Sequence, residues 1–109
     1  MAAHRGRLTL ALGGGAIDAL EREVSASPGE FARSLRNAFP DALEDGPMRF
    51  RVERDGVRLE IDLRPGPDLA IALLRLPTVR VAIRCLGADA TARARVLAYL
   101  DLATHRGGG

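Results

Sequence analysis

The chain has no lysine, no tryptophan, one cysteine and few aromatic side chains: Phe31, Phe39, Phe50 and Tyr99. Each scarcity excludes something. With Cys85 alone, no disulfide can close within the chain. So few rings leave almost no platform for stacked bases, which argues against nucleic acid as a partner. Without lysine there is no Walker phosphate loop. No apolar run approaches the ~20 residues of a membrane-spanning helix. Leu8 to Leu12 is too short for the apolar region of a signal peptide. The cytoplasm is therefore the expected compartment, with no membrane partner. All sixteen basic residues are arginine, as a GC-rich bacterial genome produces. Arginine also recognises planar anions in a bidentate manner. Fourteen acids nevertheless reduce the net charge to +2, and nucleic-acid binding wants a clustered excess.

What is present points to one globular domain. A chain of 109 residues makes one modest core. Hydrophobic residues at 47% and charged residues at 28% are ordinary globular values. The clearest local signal is Asp55-Gly56, a two-residue turn suited to type I′ geometry, where both central positions need φ > 0. Closing it sets Arg49 opposite Asp62, Arg51 opposite Glu60, Glu53 opposite Arg58 and Arg54 opposite Val57. Met48, Phe50 and Val52 then face Leu63, Ile61 and Leu59. One face is apolar and the other is a ladder of opposite charges. A slip of one residue would turn every charge toward the core, so the register is strongly specified.

The remaining segments read as follows. Arg7 to Leu12 alternates as a strand, and Gly13-Gly14-Gly15 breaks it. From Ala16 to Ser25, Ile17, Leu20 and Val24 recur at helical spacing and predict a short amphipathic helix. Ser27-Pro28-Gly29-Glu30 is a capping box with proline at the first helical position, starting a helix that Pro40 ends. Leu69 to Leu76 is almost wholly apolar and predicts a strand covered on both faces. After a turn at Pro77-Thr78, Val79, Val81, Ile83 and Cys85 alternate with Arg80, Ala82 and Arg84. Asp89 caps a last helix to about Thr104, with Val96, Leu97, Leu100 and Ala103 on its buried stripe. Residues 1–6 and 107–109 are expected to be disordered.

The resulting order is β-α-α-β-β-β-β-α: an α+β fold with an antiparallel five-stranded sheet and helices on one face. In element order alone it is similar to a shortened helix-grip domain. A ferredoxin-like split βαβ is the alternative, and it would require one strand between 69 and 85 to be something else.

Candidate chemistry is thin. Gly13, Gly14 and Gly15 between a strand and a helix could meet an anion at the helix N-terminus. The dinucleotide fingerprint fails, however, because its third glycine is Asp18. Cys85 has inward parity, and the only histidines, His4 and His105, lie near the chain ends. Neither a nucleophile–base pair nor a metal-ligand spacing results. Asp41, Glu44 and Asp45 fall in a turn-rich loop and read as solvated charges. No catalytic residue, metal or cofactor is therefore expected, and no enzyme activity.

The anomaly is Leu69 to Leu76. It is too apolar for a half-solvated strand, and Arg75, Arg80 and Arg84 have no hairpin partners. Leu69, Ile71, Leu73, Arg75, Arg80 and Arg84 are the expected interface, on an open sheet face that forms a homodimer or docks another protein. The rival expectation is a small apolar or anionic ligand held between sheet and helices, where Ala70, Ala72, Ala82 and Ala98 would leave space.

Overall fold

Asp55 and Gly56 both hold positive φ, +55° and +77°, in a computed structural model of the chain. The structure describes the backbone of residues 8–12 and 15–104, and side chains from Asp18 to Thr104. The termini expected to be disordered, both histidines, Gly13 and Gly14 lie outside the described residues.

The elements are β1 (Leu8–Leu12), β2 (Gly15–Val24), α1 (Pro28–Ala38), β3 (Leu43–Glu44), β4 (Arg49–Arg54), β5 (Val57–Pro65), β6 (Leu69–Ile71), β7 (Leu74–Leu76), β8 (Val79–Leu86) and α2 (Ala90–Thr104). The fold is α+β. Its main antiparallel sheet runs β1-β2-β8-β5-β4-β3, five strands of five residues or more and the two-residue edge strand β3. No helix interrupts 65–89, which removes the ferredoxin-like alternative.

The β4–β5 register is the one the charges demand. Arg49 faces Asp62, Arg51 faces Glu60 and Glu53 faces Arg58. The ladder is nevertheless shared with β8 on the far side of β5. Glu60 meets Arg84 at 3.1 Å, while Glu53 meets Arg58 at 3.2 Å. Arg84 thus has a partner that hairpin reasoning did not supply.

Both remaining caps form as the sequence predicts. The Glu30 N–H donates to Ser27 Oγ at 3.1 Å, and the Ser27 N–H donates to Glu30 Oε1 at 2.9 Å. The Ala92 N–H donates to Asp89 Oδ1 at 2.8 Å. Each helix lays an apolar stripe on one face of the sheet: Phe31, Leu35 and Ala38 from α1, and Val96, Leu97 and Leu100 from α2. They bury Phe50, Val52, Leu59, Ile61, Val81, Ile83 and Cys85 beneath them. Burying each large aliphatic side chain there stabilises by about 1.5–3 kcal/mol.

Two expectations are overturned. Residues 16–25 are not a helix but most of β2, so the fold has two helices rather than three. The helical spacing of Ile17, Leu20 and Val24 is real, but strand pairing outweighs it. β2 pairs with β8 over eight positions, from Ile17↔Leu86 to Val24↔Val79, and with β1 on its other edge. Along that edge the pairing runs from Leu8↔Ala19 to Leu12↔Gly15.

The second correction concerns Leu69 to Leu76. It is not one covered strand of the main sheet. It folds back on itself as β6 and β7, a separate two-stranded sheet. Every residue from Pro67 to Pro77 is exposed.

Candidate functional site

The β6–β7 arm is an excursion from the two central strands. β5 and β8 remain paired to Pro65↔Val79, and the Gly66 N–H donates to the Thr78 carbonyl at 2.9 Å. Thr78 is buried, and its Oγ1 donates to the Pro67 carbonyl at 2.6 Å. That joint anchors the arm root. Beyond it, Leu69 pairs with Leu76, Ala70 with Arg75 and Ile71 with Leu74. Because strand side chains alternate, Leu69, Ile71, Leu74 and Leu76 share one face of the ribbon. Asp68, Ala70 and Arg75 take the other, where Asp68 and Arg75 approach to 4.0 Å. The turn is Ala72-Leu73, with Ala72 at φ +54°. Exposure climbs from the root to the tip: Leu76 37% and Leu69 40%, then Ile71 54% and Leu74 61%, then Leu73 99%.

The six residues expected to form one interface are therefore divided. Leu69, Ile71, Leu73 and Arg75 are on the arm, whereas Arg80 and Arg84 are on the solvent face of β8. That face is a lattice of charges rather than an apolar strip. Arg80 lies between Glu23 and Arg64, Ala82 between Glu21 and Asp62, and Arg84 beside Glu60. A depression of about 240 Å³ over Ala82 has Arg49, Arg51, Glu60, Asp62 and Arg84 on its walls.

The premise for a ligand between sheet and helices also changes. Ala70, Ala72, Ala82 and Ala98 are all exposed, so none leaves space inside. A hollow of about 470 Å³ lies instead at the Asp55-Gly56 turn, beside Arg54, Arg58, Leu86 and Gly87. The anion reading of Gly13, Gly14 and Gly15 loses its helix N-terminus, because Gly15 opens a strand. Cys85 is fully buried on the inward face of β8. Asp41, Glu44 and Asp45 are exposed, and Glu44 meets Arg36 at 3.1 Å. Among the described residues, no group of histidine, cysteine and acidic side chains could hold a metal ion. No described helix is long and apolar enough to cross a membrane.

Two polar clusters escaped the sequence reading. Asp18 on β2 and Arg93 on α2 form a buried ion pair at 3.1 Å. Arg93 Nη1 also donates to the carbonyls of Gly87 and Ala88, at 3.1 and 3.0 Å. The available signal was spacing: Arg93 falls on the stripe of Val96, Leu97, Leu100 and Thr104. The second cluster is Arg54, whose guanidinium lies 5.1 Å from the Phe39 ring centre and 4.6 Å from that of Tyr99. The two rings meet edge to face at 5.4 Å. Both clusters tie secondary elements together.

No protein family, curated protein or solved structure matches the chain.

Proposed function

We propose that the chain is a non-enzymatic interaction module whose docking element is the β6–β7 arm, with another protein chain as its partner. One observation carries this reading. Leu69, Ile71, Leu73, Leu74 and Leu76 hold roughly three side chains' worth of aliphatic surface in water, and none belongs to the core. Burying that much surface is worth on the order of 5–9 kcal/mol before the costs of association. A two-stranded ribbon alone is marginal in water. Its apolar face and its unpaired backbone edges are both features that a protein partner satisfies.

The charges support the same class of partner. Asp68 and Arg75 are the arm's only charged residues and lie within 4.0 Å of each other. The arm therefore offers nothing that selects a polyanion.

The test is removal of the arm. Residues 67–77 are replaced by a short turn, and thermal unfolding is followed at low micromolar protein. If the arm serves docking, the core folds without it and the melting temperature stays within a few degrees. An armless chain that unfolds would show the arm to be a structural element, and the reading would fall.

A further inference from the structure

We infer that the partner is a second copy of this chain, joined across a two-fold axis at the arm end of the molecule. The inference rests on the arm being a docking element. Its first support is the shape of the apolar face. Leu69/Leu76 and Ile71/Leu74 are two cross-strand aliphatic pairs in sequence along the ribbon. Such a face is its own complement, as a closed two-fold contact requires. The arm carries balanced charge, so two copies meet without like-charge repulsion.

The second support is position. α2 runs antiparallel to β8, since Arg93 meets Asp18, the strand partner of Cys85, and Asp101 meets Arg22, the strand partner of Val81. The C-terminal end of α2 thus lies toward Val79, where the arm begins. Leu102, on that last turn, is 77% exposed. The arm and this leucine are at one end of the molecule.

Size sets what else has to take part. A standard interface uses roughly 20–30 residues a side. Leu69 to Leu76 alone falls far short, so the body beside the arm root has to contribute, and Leu102 is an exposed apolar residue at that end. The contact is small even so, and a weak dimer is expected, dissociating in the roughly micromolar range.

Analytical ultracentrifugation of the full chain tests this, with far-UV circular dichroism as the check on folding. The wild type is expected to be a dimer at high concentration. Leu74→Asp and Ile71→Asp, both on the exposed ribbon, should give folded monomers. Leu102→Glu should weaken association at least tenfold. Leu43→Glu is the control: Leu43 is 57% exposed but sits on the edge strand β3, and its replacement should leave the dimer intact. A wild type that remains monomeric to about 1 mM, or that binds anionic lipid vesicles without self-association, overturns the second-copy inference. A stable armless core would in that case still support an arm that docks a different protein. A dimer that survives both arm substitutions overturns the inference and removes the arm from the interface.

Discussion

Arg22 on β2 meets Asp101 on α2 at 2.9 Å, with the charges reversed from the buried pair between Asp18 and Arg93. The spacing explains why both pairs close. Four residue steps along the strand, from Asp18 to Arg22, span about 13 Å. Eight residue steps along the helix, from Arg93 to Asp101, span about 12 Å. Strand and helix run parallel, so the two pairs meet like matched rungs. A helix shifted along the strand breaks both at once.

The two pairs differ in burial, and their energies should differ accordingly. Arg93→Met removes the buried guanidinium that meets the Asp18 carboxylate and is expected to cost about 3–5 kcal/mol in chemical denaturation. The double variant Asp18→Leu/Arg93→Met should recover most of that loss. It should not recover all of it, because the Gly87 and Ala88 carbonyls also lose their donor. Arg22→Gln, at a pair whose side chains are 29% and 44% exposed, should cost less than about 1 kcal/mol. Equal costs at the two sites would contradict the assignment.

Arg54 joins three elements through rings. Its guanidinium covers Phe39, at the end of α1, and Tyr99 on α2. The Tyr99 hydroxyl donates to the Ala38 carbonyl at 3.3 Å. Arg54→Ala should cost about 0.5–2 kcal/mol, and Tyr99→Phe about 0.5–1.5 kcal/mol. The ring remains in Tyr99→Phe, so the two losses should add. Strong coupling between them would mean that the hydroxyl, and not the ring face, holds Arg54.

How legible each part was follows from the range of the interactions behind it. The Asp55-Gly56 hairpin and the Ser27 cap were readable because their determinants are local. A turn dipeptide, alternating charges and a capping box all act within a few residues. β2 was not, because its partners are distant. Asp18 looks solvated until Arg93, far along the chain, is placed beside it, and only then does Asp18-Leu20-Arg22-Val24 become an inward face. The arm was half legible. Its excess of apolar residues was plain, but burial was inferred from composition. Leu69 to Leu76 contains no glycine or proline to mark a turn, and Ala72 adopts φ +54° regardless. The interface candidates accordingly joined the arm leucines to Arg80 and Arg84, which the structure places on a different element, β8.

The turn between β8 and α2 crosses the β4–β5 turn at very close range. A methyl group on Gly87 would sit 2.7 Å from the Gly56 carbonyl oxygen, and Gly87 holds φ +88°. The obstacle is backbone, which cannot rotate aside. Gly87→Ala is therefore expected to destabilise by at least about 1–3 kcal/mol from conformation alone. Gly56→Ala, at φ +77°, has its nearest neighbour, the Ala88 methyl, at an ordinary 3.8 Å. It should cost only the left-handed penalty, about 1–2 kcal/mol. Denaturant midpoints measured side by side give the order, and a Gly56 variant less stable than the Gly87 one would refute it.

The arm root offers a test in which one substitution repairs another. A methyl group on Gly66 would collide with Thr78 Oγ1, the hydroxyl that donates to the Pro67 carbonyl. Gly66 does not need a positive φ, so its conformation itself tolerates alanine. The collision is the whole objection. Gly66→Ala should loosen the root and speed amide exchange from Leu69 to Leu76 by about tenfold or more, the equivalent of about 1.4 kcal/mol. The core strands, anchored by Val79 and Val81, should exchange as before. Thr78→Ala alone removes one hydrogen bond and should cost about 0.5–1.5 kcal/mol. In the double variant the methyl group has room, since the Thr78 Cβ is 3.5 Å away. Gly66→Ala should then be neutral or slightly stabilising, because alanine restricts the unfolded chain more than glycine does. The sign of the Gly66→Ala effect thus reverses with the residue at 78. If it stays destabilising in both backgrounds, the Thr78 hydroxyl is not what sets the arm's root.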